Sequence, residues 1–336
     1  MRVGAEAKER NIRQILTLIE SSVGEGIKLH DLLIEMLNKN IGCSDLLFLT
    51  LQRLEEKGYI KGSRDWVNVL KPIDEKNEIV EEVKKIVRKN RKLFVSPLEI
   101  GKFYQCPRRL FLEKVVLSRE YKEKRGKVWD GELVHFAVSF LVNNLMKSDI
   151  SEILSQTVKI SMKKFKERIT ITKERLEEFL IRFSELLRRE NFTHIFAEKT
   201  LESLRNGLVG TPDIILLKKE KIIPMDVKLG RLSKKGLKEE HLLQLVGEAL
   251  LVEDFFRKRV RESYLVYFES EKLVKVEIDE DLRREFANQK RKLERICKSR
   301  YIPEKSRLKN FERRVCLGCH VRRACENIET LRNITI

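Results

Sequence analysis

The chain is predicted to be an α/β protein preceded by a small helical unit, and three features carry that expectation. Apolar residues recur at helical spacing from Ile12 through Leu54, and helical patterns dominate again from about Phe94 to Glu190. The period then switches to that of strands over His194–Glu202, Leu208–Leu217 and Ile222–Leu229. An apolar helix over Leu237–Phe256 follows, and after it a strand pair, Tyr264–Glu269 and Val274–Ile278.

In chain order, the first unit is expected over residues 1–72. Ile12, Ile15, Leu16 and Ile19 share one helix face, as do Leu29, Leu32, Leu33, Met36 and Leu37. A third helix begins at Ser44–Asp45, which can cap its first turn, and runs through Leu47, Leu51 and Leu54. It stops at Gly58, which tolerates the left-handed conformation that ends helices. Two β-like runs, Tyr59–Lys61 and Trp66–Leu70, flank the polar turn Gly62-Ser63-Arg64-Asp65. Three helices and a hairpin in this order make a winged helix, whose third helix would be offered to a DNA major groove. The residues it shows, Gln52, Arg53, Glu55, Glu56 and Lys57, are not strongly basic, so protein contacts are the other use of such a unit. The charged stretch Ile73–Arg91 is read as a linker helix filling 73–92, and a second domain is expected over 93–336. Within it Asn206-Gly207 marks a tight turn, and a charged helix, Asp281–Lys298, leads to a cysteine-rich tail.

Charge points to the partner. The net charge is +18, and charged residues make up 36% of the 336, against roughly 25% in an average soluble protein. A surface this basic concentrates polyanions, so nucleic acid is the first expectation and simple solubility the bland one. Charge-rich composition also fits a thermophilic source. Met1–Arg13 is polar rather than leader-like, and no apolar run reaches the ~20 residues of a membrane span. A cytoplasmic protein without a membrane partner is expected. Disulfides are rare there, so the six cysteines need another role or are buried thiols.

The sharpest chemical signal is Gly210-Thr211-Pro212-Asp213 followed by Met225-Asp226-Val227-Lys228. Side chains alternate along a strand, so Asp226 and Lys228 share a face while Val227 points away. Hairpin pairing would bring Asp213 beside them. Two converging carboxylates are hard oxygen ligands suited to Mg²⁺ or Mn²⁺. Such a metal polarises a phosphodiester and acidifies the attacking water, and Lys228 could orient that water or stabilise the developing charge. An Asp-x-Lys on a strand is more often a solvated pair, but Asp226 ends the apolar run Ile222-Ile223-Pro224-Met225 and Asp213 opens Ile214-Ile215-Leu216-Leu217. Glu198, on the strand before Asp213, is either an extra acid or an exposed strand residue. His135, on the apolar helix around Gly131–His135, is either a packed core residue or a ligand. Gln244 and Glu248 lie four apart on one helix face, aimed at a substrate backbone or forming a solvent stripe.

Cys316, Cys319 and Cys325 cluster near the end of the chain, and Cys106 stands far upstream in Gln105-Cys106-Pro107-Arg108-Arg109. Four thiolates bind either Zn²⁺ or a [4Fe–4S] cluster, and spacing does not separate the two. Either would staple the start of the second domain to its end. Cys43 and Cys297 fall in helical patterns and read as buried thiols. Arg108, Arg109, Arg313, Arg314, Arg322 and Arg323 flank the four candidates, a basic collar suited to phosphates or to countering the site's own charge.

Taken together, these motifs resemble the RecB-like nuclease numbered four among the CRISPR-associated (Cas) proteins, and more broadly the iron–sulfur nuclease domains of AddB-type repair enzymes. The resemblance runs from about Phe94 to Ile328 and rests on motif order: Cys106, His135, Asp213, Asp226-Val227-Lys228, Gln244, then Cys316, Cys319 and Cys325. It implies a restriction-endonuclease-like PD-(D/E)XK core with helical insertions. It implies that His135, Asp213, Asp226 and the Val227 carbonyl bind the divalent metal, with Lys228 as the catalytic lysine and Gln244 holding the DNA strand. It implies [4Fe–4S] on Cys106, Cys316, Cys319 and Cys325, exonuclease action on DNA ends and single strands, and prespacer processing with the Cas integrase, in some members as an oligomer. Repair end-processing with a helicase, or a DNA-binding regulator on a nuclease-like scaffold, are the alternatives. Two departures stand out: Glu248 occupies the position of a frequent family tyrosine, and most members lack the N-terminal unit.

Overall fold

Alternate residues of the central strands enter two different cores, and that division sets the layers. The computed structural model describes residues 5–334 apart from 64, 90–92, 118–125, 146–148, 167, 220, 235, 300–301, 305–315 and 318; Arg64, Arg91, Arg313 and Arg314 of the motifs above lie outside the described residues. Strands β4 (His194–Ala197), β7 (Ile214–Lys218), β8 (Lys221–Lys228), β9 (Glu262–Tyr267) and β10 (Lys272–Glu277) form one mixed sheet in the order β10-β9-β8-β7-β4. Its pairs are antiparallel except β8–β9, which are parallel and joined through helix α10 (Glu239–Phe256). A parallel pair requires such a crossover.

Ile214, Leu216, Ile223, Met225 and Val227 pack into one core with helices α7 (Gly126–Asn144), α8 (Ile150–Phe165) and α9 (Lys173–Arg189). Ile215, Leu217, Ile222, Leu265 and Tyr267 enter the other, against α10, α5 (Pro97–Gln105) and α11 (Glu280–Ser299). By the two-residue period of a strand, Asp226 and Lys228 therefore face α10. A separate hairpin, β5 (Leu201–Ser203) with β6 (Leu208–Gly210), lies beside the sheet. The long strands expected over His194–Glu202 and Leu208–Leu217 are thus each broken in two. Glu198, at φ 48°, turns the chain out of the first ladder, and Pro212, with no N–H to give, sits in the break of the second.

The first unit has helices α1 (Ala5–Glu20), α2 (Leu29–Asn38) and α3 (Ser44–Glu56), with strands β1 (Gly26–Lys28), β2 (Ile60–Gly62) and β3 (Trp66–Val69) in an antiparallel sheet of order β1-β3-β2. The short β1 is absent from the sequence expectation. The segment expected as a linker, α4 (Lys76–Lys89), buries Ile79, Val80, Val83 and Val87 against α1 and α3. These positions form one apolar stripe at helical spacing, so it belongs to the core of the unit.

That unit is locked to the rest of the chain. The Gly42 carbonyl accepts the Glu202 amide of β5 at 2.9 Å. Asp45 Oδ2 accepts the Leu204 amide at 2.7 Å, and Ser44 Oγ donates to the Asp254 carbonyl of α10 at 3.3 Å. A Cβ at Gly42 would stand 1.7 Å from the Thr200 carbonyl oxygen, so only glycine allows this approach. The start of α3 is consequently held against β5, the turn that follows it and α10. Its exposed residues are Gln52, Glu55 and Glu56, the last of which also pairs with Arg53. Among the described residues no helix is long and apolar enough to cross a membrane.

Candidate active site

The start of β7 and the second half of β8 set the first two acids side by side. Register pairs Ile214 with Met225, which leaves Asp213, just ahead of β7, level with Asp226. Asp213 Oδ2 accepts the Val227 amide at 2.7 Å, and its Oδ1 lies 3.0 Å from His135 Nδ1 on α7. The N–H and C=O of one extended residue point to the same edge, so the Val227 carbonyl also emerges on the Asp213 side. His135 is partly exposed; burial opposes its charged form, but the Asp213 carboxylate outweighs that and raises its pKa above the usual histidine value.

Asp226 is 3% exposed. Its Oδ1 accepts from Lys228 Nζ at 3.0 Å and from Gln244 Nε2 at 2.8 Å. Its Oδ2 is 2.8 Å from Lys228 Nζ, an ion-pair contact, yet receives no aligned hydrogen bond. Burial pushes the Asp226 carboxyl up to about 6, with the Lys228 charge acting the other way. Burial also works against the Lys228 ammonium, but Asp226, Glu248 and Asp213 overcome it and hold its pKa above the usual lysine value. Lys228 donates to Gln244 Oε1 at 2.8 Å, and Gln244 Nε2 donates to Glu248 Oε1 at 2.8 Å. Burial raises the Glu248 carboxyl well above its ordinary range, and Asp226 and Asp213 add to that.

A family model for the PD-(D/E)XK nuclease superfamily matches residues 95–326. The chain belongs to the PD-(D/E)XK nuclease superfamily. A comparison with curated proteins finds no match.

PD-(D/E)XK nucleases typically use Mg²⁺ or Mn²⁺, and the donor chemistry here suits a hard cation. Asp213 and Asp226 stand level across the β7–β8 ladder, the Val227 carbonyl lies on the Asp213 side, and buried Asp226 Oδ2 has no aligned donor. Among the described residues, three or more His, Cys, Asp or Glu side chains are nowhere drawn together as a closed metal-ligand group. Here Lys228 and Gln244 engage Asp226, and Val227 and His135 engage Asp213.

Glu198 lies beyond β4, exposed, where its Oε2 accepts Ser139 Oγ at 3.2 Å and its amide donates to the Asp213 carbonyl at 2.9 Å. It supports Asp213 through the backbone and does not share the carboxylate network. Glu248, expected on a substrate-facing stripe, is 3% exposed and faces Gln244 instead. Arg108 is buried; its Nε donates to the Pro303 carbonyl at 2.8 Å and its Nη1 to Cys325 Sγ at 3.9 Å. Arg109 Nε donates to Glu113 Oε1 at 2.8 Å. These two arginines of the expected collar therefore turn to the protein. Cys106 caps helix α6 (Pro107–Lys114), and Cys325 lies on α12 (Arg322–Ile334), which packs on α6. Cys316 and Cys319 sit in one turn, the Cys319 amide donating to the Cys316 carbonyl at 3.1 Å.

Two neighbours escaped the sequence reading. Tyr267 is the register partner of Lys228, and its hydroxyl lies 3.2 Å from His241 Nδ1 on α10. Burial drives the His241 pKa down to about 4, helped by the Lys228 charge. His241 precedes Gln244 by three positions, the helical spacing that would have paired them.

Proposed function

We propose that this nuclease hydrolyses phosphodiester bonds of DNA, at single strands and strand ends, with Mg²⁺ or Mn²⁺ held by Asp213, Asp226, His135 and the Val227 carbonyl. The network linking His135, Asp213, Asp226, Lys228 and Gln244 is the observation that carries this reading. When bound, the cation polarises the phosphodiester and acidifies water. The chain's own residues do the rest. His135 and the Val227 amide hold the two oxygens of Asp213, fixing its orientation before substrate arrives. Gln244 ties Asp226 to Lys228, and the Lys228 ammonium donates to the phosphate oxygens on which negative charge grows. The net charge of +18 favours a polyanionic strand.

The order of motifs further supports a place in CRISPR adaptation, trimming DNA fragments beside the Cas integrase. Integrase genes next to this one would favour that place, and a helicase gene would favour repair end-processing. The first unit we read as a winged helix. The docking of α3 on the nuclease core speaks against a regulator that reads DNA with that helix.

The test is an assay on end-labelled single- and double-stranded DNA with Mg²⁺, Mn²⁺ or chelator. Metal-dependent shortening of single strands is expected, and its polarity follows from which label is released. Failure to cut any DNA with either metal overturns the proposal.

Cys106, Cys316, Cys319 and Cys325 are read as ligands of a [4Fe–4S] cluster, with zinc the other occupant. The packing of α12 on α6, which brings Cys325 near the helix that Cys106 caps, supports a shared site. Protein purified without oxygen is expected to be brown and to hold about four irons per chain, as thiolate-bound [4Fe–4S] requires. Colourless protein with one tightly held zinc would replace the cluster by a structural zinc site.

A further inference from the structure

Glu248 has no part in the chemistry above, yet it is among the most deeply buried acids of the chain. It lies on α10 one turn beyond Gln244, at 3% exposure, too deep to touch a substrate strand. Its neighbours along the helix, Leu245, Val246, Ala249, Leu251 and Val252, are core residues. A leucine at 248 would extend that core without burying a charge.

The two carboxylates on either side of Gln244 are arranged alike. Gln244 Nε2 donates at 2.8 Å to Glu248 Oε1 and at 2.8 Å to Asp226 Oδ1. Each acid then has a second oxygen, Glu248 Oε2 and Asp226 Oδ2, that is buried and receives no aligned hydrogen bond, although the Lys228 ammonium stands 2.8 Å from Asp226 Oδ2. The neighbouring ammonium, Lys228 Nζ, donates to Asp226 Oδ1 and to Gln244 Oε1. Buried carboxylates in proteins are paired or coordinate metals. A divalent cation is a ligand that would engage Glu248 Oε2 together with the carboxylates of the sheet.

We propose that Glu248 is an additional carboxylate ligand of the divalent cation, acting through Oε2, so that the site draws its acids from helix α10 as well as from the sheet. The inference rests on the nuclease reading and extends it: cation affinity rises with the number of charged ligands, so this chain should hold its metal more tightly than Asp213 and Asp226 alone would allow.

The experiment uses the full chain and MnCl2 alone, without DNA. Calorimetric titration and the metal-induced rise in melting temperature are measured for wild type, Glu248→Gln and Glu248→Asp. Gln keeps the volume and the partner of Glu248; Asp keeps the charge and withdraws it. The expected result is at least a ~10-fold weaker Mn²⁺ affinity in Glu248→Gln, the effect of losing one charged ligand, with a smaller loss in Glu248→Asp. Metal-free Glu248→Gln should melt no lower than wild type, because a buried carboxyl has been removed; this separates loss of a ligand from loss of fold. Should Glu248→Gln not fold, Glu248→Asp decides: unchanged affinity overturns the inference, weakened affinity supports it. Wild type that binds Mn²⁺ while both variants bind it equally well sinks Glu248 as a ligand and leaves the nuclease reading standing. Wild type that takes up no Mn²⁺ removes both.

Discussion

Asp226→Asn and Lys228→Met are each expected to lower DNA hydrolysis by at least ~10²–10³-fold, the scale of removing one preorganised electrostatic group from a buried site. The two variants should fail differently. Asp226→Asn keeps the size of the side chain and its contact with Gln244, but removes a charged oxygen ligand, so Mn²⁺ binding falls together with turnover. Lys228→Met keeps the aliphatic stem and all the acids, so at pH 8 Mn²⁺ should still bind while turnover is lost. Lys228→Arg is not expected to rescue, since a planar guanidinium does not replace a compact ammonium held between Asp226 and Gln244. Stability supplies an independent check. Burial raises the Asp226 pKa from 3.8 to about 6 in the folded chain. A carboxyl raised in this way contributes stability that is present at low pH and lost as pH rises through the folded value. Metal-free wild type should therefore lose stability relative to Asp226→Asn between about pH 4 and pH 7, in urea titrations at each pH. Wild-type cleavage in either variant would remove the assigned centre.

How much of this site was legible follows from what each residue needs. Asp226 and Lys228 need only the two-residue period of a strand, and Asp213 needs only a hairpin return; both are local features, and the sheet register agrees with them. Glu198 was misplaced because nothing in its neighbourhood marks the left-handed turn at φ 48° that breaks the strand. Glu248 was misread for another reason. Helix α10 is packed by the sheet on one side and by α5 on another, so a polar pair at helical spacing does not mark a solvent face. Tyr267 and His241 depend on the parallel register of β8 with β9, which is set across a crossover and has no local signature. Arg108 is similar: its guanidinium is spent on the Pro303 carbonyl, 195 residues along the chain.

The joint between the first unit and the nuclease is the least local feature of all, and its disruption has the second large effect. Lys8 Nζ lies 2.8 Å from Glu202 Oε1, 194 residues away, with side chains 7% and 2% exposed. Taking one partner from a buried pair removes the countercharge of the other, so Lys8→Met is expected to cost ~3–5 kcal/mol. Lys8→Met with Glu202→Leu should regain most of it, because apolar side chains of similar volume replace buried pairs at little cost. Denaturant unfolding followed by fluorescence and by far-UV circular dichroism measures both. If the first unit were a tethered module, Lys8→Met would split the transition and spare the nuclease. The contacts argue for one transition instead. Glu202 also binds the Gly42 carbonyl through its amide, and its strand β5 pairs with β6, the strand that leads into Asp213. Loosening Lys8 therefore loosens the segment that positions a catalytic acid, and metal affinity should fall along with stability. Two well-separated transitions, or a nuclease that keeps its Mn²⁺ affinity in the Lys8→Met variant, would show that the two parts fold and function independently despite the buried pair between them.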